Sequence, residues 1–322
     1  MADQKICIIG GAGFVGRHLA HRLTREGWRV TIPTRRRERQ RALLVDPRVT
    51  LIEADVNDPA TLRGLLAGCA AVINLVGILN ERRGPAGEAF ARAHVELPGK
   101  LVAAMHDTGV RRLLHMSALN ADPHEEHSLY LRTKGQGEDL VHGAGGLGLE
   151  VTSFRPSVIF GPGDSFFNRF ATLLRITPLV FPLACADSRF APVYVDDVIE
   201  AMVRTLQDRS TTGRRCDLCG PEVYTLAQLV EYTARQLDLR RSIWKLTDGL
   251  SRLQARALEF VPGKPFSRDN YWSLQQASVC DHNALIELGI RPTAIDAVVP
   301  GYLGQRSARD AYPRLREQAR RG

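Results

Sequence analysis

The sequence lacks any apolar run of the roughly 18–20 residues that a membrane-spanning helix needs. Aromatic residues make up only 7% of its 322 residues, and no recognition motif for nucleic acid accompanies its net charge of +8. We therefore predict a globular protein that neither spans a membrane nor binds nucleic acid. Because the first strand pattern starts at Lys5, we also expect no signal peptide.

Cysteine is scarce and scattered, with six residues, of which only Cys216 and Cys219 form a CxxC pair. A structural zinc site needs four ligands, and no second pair lies at a suitable spacing. We therefore expect no metal site and interpret the pair as two thiols in or beside a strand. Reduced cysteines of this kind predict a cytoplasmic protein.

Acidic residues are outnumbered by basic ones, 35 to 43, and the basic excess is partly concentrated at residues 34–41 and 314–322. Such runs usually lie on solvated faces or tails. The alternative for the C-terminal run is peripheral attraction to an anionic membrane surface, such as the inner membrane, or to an acidic protein partner.

The first half of the chain alternates short apolar runs with helical patterns. Alternation of this kind predicts an α/β fold, a Rossmann doubly wound parallel sheet with helices on both faces. The strands are predicted at residues 5–10, 28–34, 49–56, 70–77, 111–118 and 149–157, and helices at 14–27, 59–69 and 96–109.

The alternation of strand and helix patterns ends after Pro156, and proline-rich connections follow. We predict a dinucleotide-binding Rossmann domain over residues 1–157, to which residues 189–207 return as a strand entering a helix. A smaller substrate- or partner-side portion, made of residues 158–188 and 208–322, would cap the carboxyl edge of the sheet.

A glycine-rich turn separates the first strand from the first helix, with Gly10, Gly13 and Gly16 at the spacing G-x-x-G-x-x-G. Glycine is needed where the backbone turns sharply, where it approaches a pyrophosphate, and where the helix packs on the strand. The helix N-terminus, which includes Phe14 and Val15, offers free N–H groups to the phosphates. In this context the motif predicts dinucleotide binding.

The end of the second strand indicates which dinucleotide binds. NAD sites usually place an acidic residue there to bind the ribose 2′-hydroxyl, whereas this strand is followed by Arg35 and Arg36, and the first acidic residue is Glu38. Arginine can form charge-assisted hydrogen bonds to a 2′-phosphate. We therefore predict NADP(H) in preference to NAD(H); the alternative is a solvated turn.

Two further strand ends suit the same cofactor. Asp55 and Val56 close the third strand, where the adenine edge would lie. Leu75, Val76 and Gly77 close the fourth strand, where a glycine leaves room for the ribose and the nicotinamide.

Tyr130 and Lys134, in the segment YLRTK, are four residues apart and would share one face of a helix. With the glycine turn, Asp55-Val56, RPSVIFGPGD (155–164) and PVYVDDV (192–198), this segment resembles extended short-chain dehydrogenases/reductases of the NAD-dependent epimerase/dehydratase type. The runs INLVGIL, HMSALNAD and FGPGDSFFNRF are similar to an atypical subgroup. That subgroup includes the NAD(P)H-binding accessory subunit of respiratory complex I and its bacterial relatives.

The resemblance implies roles for particular residues. The Tyr130 hydroxyl would act as general acid or base on the substrate oxygen. Lys134 would lower the pKa of that tyrosine and bind the nicotinamide ribose. Pro156, Ser157 and Val158 would contact the cofactor.

The third catalytic position departs from the family pattern. Family enzymes place a serine or threonine there, but the alignment of HMSAL puts Ala118 at that position and Ser117, the candidate third residue, one step before it. Because neighbouring side chains in a strand face opposite sides, Ser117 is expected to miss the substrate. Loss of one such donor typically costs on the order of 10²–10³ in rate.

We predict an NAD(P)-dependent oxidoreductase that acts on a hydrophobic carbonyl or a quinone-related substrate, linked to complex I or quinone metabolism. The first alternative is a cofactor-binding protein without turnover, used in assembly, scaffolding or redox sensing. The second is a nucleotide-sugar epimerase or dehydratase. The substrate half has no tight cluster of basic side chains for a nucleotide sugar, and Phe160, Phe166, Phe167 and Phe170 would line an apolar mouth or fill core.

Overall fold

The computed structural model describes residues 4–81, 85–261 and 264–303 of the chain. Its strands, in chain order, are β1 Lys5–Ile9, β2 Arg29–Thr34, β3 Val49–Glu53, β4 Cys69–Asn74, β5 Arg112–Met116, β6 Glu150–Pro156, β7 Ile159–Phe160, β8 Val180–Leu183, β9 Arg189–Phe190, β10 Val193–Tyr194, β11 Arg215–Leu218, β12 Tyr224–Thr225 and β13 Ser242–Lys245. The α-helices are α1 Phe14–Arg25, α2 Pro59–Leu66, α3 Glu88–Ala91, α4 Leu97–Thr108, α5 Leu129–Gly143, α6 Phe167–Ile176, α7 Val195–Gln207, α8 Leu226–Gln236, α9 Asp248–Leu258, α10 Arg268–Ser273, α11 Ala284–Glu287 and α12 Ile295–Leu303.

Seven strands form one parallel sheet in the order β11-β6-β5-β4-β1-β2-β3. The central strands are rich in apolar residues because both of their faces are covered. Helices α1 and α7 pack on one face, and α2, α4 and α5 pack on the other. The predicted α/β fold with a doubly wound parallel sheet is therefore confirmed.

The strand order places a crevice at one point of the sheet. From β1 the chain runs outward to β2 and β3, and it then returns to β4 on the other side of β1. The connections that leave β1 and β4 diverge to opposite sides. Ligands of sheets with this topology bind at the carboxyl ends of the strands, at the point where the order reverses.

After β6 the chain leaves the central sheet. It returns to the sheet layers twice, because α7 packs against α1 and β11 forms the edge strand beside β6. A separate apolar core forms among α6, α8 and α12. Phe160 and Phe167 are buried in this core, and Phe166 and Phe170 pack against it half-buried. The four phenylalanines therefore mainly fill core.

The expectation of two reduced thiols in the CxxC pair is wrong for one of them. Cys216 is a buried free thiol in β11, but Cys219 forms a disulfide with Cys280, and their Cα atoms are 6.0 Å apart. Asn283 positions the second cysteine because its Nδ2 donates a hydrogen bond to the Cys219 carbonyl at 2.8 Å. The disulfide joins residues that are 61 positions apart, so spacing within the sequence could not reveal it.

No helix within the described ranges is long and apolar enough to cross a lipid bilayer. The basic run at residues 314–322 lies outside the described residues. Its predicted attraction to a membrane or to a protein partner therefore stays a prediction.

Helix α5 packs close to its neighbours because two of its positions carry no side chain. A Cβ atom at Gly137 would stand 1.7 Å from the carbonyl oxygen of His94, and one at Gly135 would stand 2.3 Å from the backbone of the preceding loop. The His94 carbonyl belongs to a π-helical turn, Arg92–Glu96, that joins α3 to α4. The two glycines thus set the depth of α5 against the sheet.

Gly137→Ala is expected to destabilise the fold, although alanine is the better helix former, because its methyl group would overlap the His94 carbonyl. Overpacking of this kind typically costs about 1–3 kcal/mol. Gly143→Ala, at the end of the same helix, is the control, because among the described residues no atom beyond its chain neighbours and the backbone of its own helix lies within 4 Å of the added Cβ. Urea unfolding measures both variants, and equal stabilities would contradict the close approach.

Candidate functional site

The turn after β1 packs directly against the loop after β4. Gly10 has a φ of +81°, which favours glycine, and a Cβ there would stand 3.0 Å from the carbonyl carbon of Leu75 and the amide nitrogen of Val76. A Cβ at Gly16, in the first turn of α1, would stand 2.5 Å from the backbone of Gly11. A side chain at either position would crowd backbone atoms, so glycine permits this close packing of turn, helix and loop.

Helix α1 begins at this turn without a side-chain cap. Gly13 is the N-cap residue, and the first turn carries no acidic side chain. Phe14 and Val15 are half-buried and pack against the apolar core, so neither covers the helix end. An uncapped N-terminus with its positive dipole end suits a phosphate group.

Charged residues lie at the neighbouring strand ends. Arg35 and Arg36 are exposed just beyond β2. Hydrogen bonds from Asn57 lower the pKa of Asp55, and the positive charge of Arg35 adds to this effect. Asp55 therefore stays ionised, while Val56 packs against the core behind it.

Lys134 joins the ends of β4 and β5. Its Nζ donates hydrogen bonds to the carbonyl oxygens of Val76, at 3.3 Å, and Met116, at 2.9 Å. A Cβ at Gly77 would stand 3.1 Å from the same nitrogen, so glycine leaves room for the ammonium. Burial lowers the pKa of Lys134 to about 8, and the charge of Glu138 acts in the opposite direction. The ammonium is therefore mostly protonated at neutral pH.

Tyr130 lies one turn before Lys134, in the first turn of α5. Its backbone N–H donates to Asp269 Oδ1 at 3.2 Å. Burial, together with the negative charge of Asp269, raises the pKa of the phenol to about 12, in contrast to the lowered pKa that the resemblance implied. The phenol is thus protonated at neutral pH, and its hydroxyl has no hydrogen-bond partner among the described residues. It can donate a proton.

Comparison with known proteins decides the family. Residues 6–219 match the sequence profile of the NAD dependent epimerase/dehydratase family. The chain belongs to this family. The predicted resemblance to extended short-chain dehydrogenases/reductases is therefore confirmed, and the glycine turn, Tyr130 and Lys134 lie within the matched range.

Two relatives and one solved structure illustrate the similarity. The chain is 30% identical over 238 residues to the 40 kDa subunit of mitochondrial NADH-ubiquinone oxidoreductase from Neurospora crassa, covering 73% of this chain and 60% of the relative. It is 30% identical over 198 residues to ceramide reductase from Caulobacter vibrioides, covering 62% of this chain and 59% of the relative. The chain therefore spans less than two thirds of the length of either relative.

A dTDP-glucose 4,6-dehydratase from Streptomyces venezuelae, solved with NAD and TYD bound, superposes with a TM-score of 0.75. The superposition covers 93% of this chain and 96% of that chain at 20% identity. At this level of identity the likeness shows the shared fold.

In this member of the family, the predicted third catalytic residue is not bonded to the tyrosine. The Ser117 N–H donates to the Phe154 carbonyl at 2.8 Å, and its Oγ is buried without a hydrogen-bond partner among the described residues. Ala118, buried beside it, has no group to donate. The structure thus brings Tyr130 and Lys134 together, and the role of Ser117 stays a prediction.

His94 lies against the tyrosine, although no family motif indicated it. Its ring contacts Tyr130 edge-to-face with centroids 5.6 Å apart, its Nδ1 is 3.0 Å from Thr133 Oγ1, and its Nε2 accepts the Ile78 N–H at 3.1 Å. Burial, assisted by the charge of Lys134, lowers the pKa of His94 to about 2. The neutral ring therefore connects the π-helical turn, α5 and the loop after β4 beside Tyr130.

The predicted cofactor residues after β6 hold the chain at the carboxyl edge of the sheet. Pro156 accepts a hydrogen bond from the Leu119 N–H at 3.2 Å, and the Ser157 hydroxyl donates to the Ser278 carbonyl at 2.8 Å. The Val158 carbonyl accepts a bond from the first residue of β10. Contact of these three residues with a cofactor stays a prediction.

Acid is expected to destabilise this protein through two buried histidines. Burial lowers the pKa of His94 to about 2 and that of His115 to about 3. Because both folded-state values lie below the unfolded value, the stability that depends on neutral rings is complete above pH 6.5 and is lost as the pH falls. Each histidine should account for about 2 kcal/mol between pH 7.5 and 5.

Urea unfolding at pH 7.5 and 5 measures this loss. His115→Asn should reduce this loss of stability by the contribution of one histidine. His106→Asn, at an exposed position on α4, should leave the loss of stability unchanged. An identical loss of stability in the protein and in His115→Asn would show that the buried rings do not govern acid sensitivity.

Proposed function

We propose that the chain is an NADP(H)-dependent oxidoreductase of low turnover that reduces a hydrophobic carbonyl or a quinone-related compound. The observation that supports this most is the pair formed by Tyr130 and Lys134, a protonated phenol with a free hydroxyl one helical turn from a buried ammonium. A protonated phenol can donate to a carbonyl oxygen as negative charge develops there. The proton donor of a reduction is therefore in place.

The residues around the crevice fit a nicotinamide dinucleotide. Glycine at positions 10, 16 and 77 lets the turn, α1, the loop after β4 and the Lys134 ammonium pack closely, and the uncapped end of α1 suits a pyrophosphate. Arg35 and Arg36, exposed just beyond β2, would bind a 2′-phosphate. When bound, the cofactor supplies the hydride.

The arrangement also supports slow turnover. The carbonyl oxygens of Val76, in the loop after β4, and of Met116, at the end of β5, fix Lys134 Nζ, which would present its remaining N–H to the ribose. Tyr130 would donate the proton, but Ala118 offers no second donor to the substrate oxygen. A missing donor of this kind typically slows catalysis on the order of 10²–10³.

A hydrophobic substrate is supported by the relatives and by the entrance to the site. One relative is named for the reduction of ceramide, and another is a subunit of NADH-ubiquinone oxidoreductase. Leu79, in the loop after β4 that we take as the entrance, exposes 54% of its surface, and behind it the buried rings of Phe90 and His94 contact Tyr130 edge-to-face. We therefore infer that lipid-like or quinone-like carbonyls are the substrates to test first.

A second candidate function is a cofactor-binding subunit without turnover. The absent hydroxyl at Ala118 favours it, because the features suited to phosphate and ribose are complete while the substrate oxygen lacks a donor. The similarity to a respiratory-chain subunit favours a role in a protein assembly. Stabilisation of the fold by bound cofactor would then be its contribution.

NADPH is expected to bind at least about tenfold more tightly than NADH, because charge-assisted hydrogen bonds to a 2′-phosphate contribute about 1.5–3 kcal/mol each. Replacing Arg35 and Arg36 with alanine should remove most of this preference. The control replaces Arg39 and Arg41, which lie farther along the same basic run. Calorimetric titration measures all affinities, and equal affinities for the two nucleotides in the unaltered protein would contradict the proposal.

Ala118→Ser is expected to raise the rate of NADPH oxidation with a long-chain ketone or quinone, because it restores a donor to the substrate oxygen. Tyr130→Phe should abolish turnover and leave NADPH affinity nearly unchanged, because it keeps the ring and the Lys134 contacts. Stopped-flow absorbance of NADPH measures both. Unchanged turnover in Tyr130→Phe would exclude the phenol as donor, and absence of turnover in all three proteins would support the non-catalytic function.

A further inference from the structure

A stripe of exposed apolar side chains runs along α9 and into the turn that follows it. Leu250 and Leu253 are 42% and 61% exposed, and Phe260 and Val261 are 85% and 42% exposed. At 100° per residue, the two leucines lie within one narrow arc of the helix. Backbone hydrogen bonds of helical type continue through Phe260 and Val261, so the turn extends the same path. We call these four residues the α9 stripe.

The rest of the protein contacts α9 through its opposite side. The only buried residues of this helix are Ser251 and Ala255, both of them small. Ordinary surface helices bury their large apolar residues and expose polar ones. Helix α9 instead directs its larger apolar side chains away from the protein, where water is a poor environment for them.

The surroundings of the α9 stripe are strongly basic. Residues 240–268 contain seven basic and two acidic side chains. The two acidic residues, Asp248 and Glu259, are paired with Arg252 and Arg268. Lys245 is paired with Asp187, whereas Arg240, Arg241, Arg256 and Lys264 have no acidic partner among the described residues. This net positive charge around the stripe complements a surface that carries negative charge.

The stripe also lies beside the entrance to the candidate site. The Asn80 Nδ2 donates to the Lys264 carbonyl at 3.3 Å, and the Asn270 Nδ2 donates to the Leu79 carbonyl at 3.1 Å. Residue Asp269, in the same segment, accepts the Tyr130 N–H. The chain that follows α9 is thus bonded to the loop after β4 and to the first turn of α5.

We propose that the α9 stripe docks this protein on an anionic lipid bilayer, with the entrance to the site next to the membrane. Apolar side chains would enter the boundary between headgroups and acyl chains, and the basic residues would bind lipid phosphates. The docking proposal depends only on the α9 stripe and on the basic residues around it. Delivery of a hydrophobic substrate from the bilayer to Tyr130 rests on the proposed function.

Vesicle flotation of the full chain tests the docking. The probes are vesicles of phosphatidylcholine alone and vesicles with about one third phosphatidylglycerol, an anionic lipid. The protein should float with the anionic vesicles. Leu253→Asp with Phe260→Asp should weaken binding at least about tenfold, because the variant loses the free energy that two apolar side chains gain on transfer from water to the bilayer. The matched control, Leu147→Asp with Ile286→Asp, changes residues that are 60% and 67% exposed elsewhere and should bind as the unaltered protein does.

Three outcomes would overturn the proposal. The stripe variant could float as well as the unaltered protein, which would assign any binding to other basic segments such as residues 314–322. The control variant could lose as much binding as the stripe variant. Sedimentation velocity could show that the unaltered protein self-associates, that the stripe variant does not, and that neither binds vesicles, which would make the stripe an interface between copies. Circular dichroism melting verifies that both variants fold.

Reduction of a hydrophobic ketone or quinone added in detergent, without vesicles, separates docking from catalysis. If docking fails but the proposed function holds, the stripe variant and the unaltered protein will bind vesicles equally and both will oxidise NADPH. If the proposed function fails but docking holds, vesicle binding will still depend on Leu253 and Phe260.

Discussion

The buried ammonium of Lys134 is the interaction on which the rest of the site depends. Its hydrogen bonds to the carbonyl oxygens of Val76 and Met116 join the ends of two neighbouring strands to one helix. An ammonium can reach that position only if α5 lies deep against the sheet. Gly135 and Gly137 permit this depth, because a Cβ at either position would overlap backbone atoms. The close packing that these two glycines permit is therefore a condition for the position of the Lys134 ammonium.

The same burial acts in opposite directions on the pKa values of the two predicted catalytic groups. A buried environment disfavours charge, so it lowers the pKa of Lys134 and raises that of Tyr130. Asp269, in a segment 139 residues further along the chain, adds to the rise. The phenol is therefore protonated at neutral pH, the state that the proposed reduction of a carbonyl requires.

Local patterns in the sequence predicted the sheet, the glycine turn and the Tyr130–Lys134 pair, because each depends on residues that are close in the chain. Features that depend on distant contacts were missed. His94 lies in a π-helical turn that forms against Gly137, and Cys219 bonds to Cys280, which is 61 residues away. The outward-facing leucines of α9 also required the structure, because periodicity shows an apolar stripe but not which side is covered.

The central claim is that the crevice between β1 and β4 holds NADP(H). Its most direct test is to denature freshly purified protein and quantify the released nucleotides by mass spectrometry. We expect NADP⁺ or NADPH at a substantial fraction of one molecule per chain, because the glycine turn and the exposed arginines suit both the pyrophosphate and the 2′-phosphate. NAD⁺ or NADH in that amount, with no phosphorylated form, would contradict the claim.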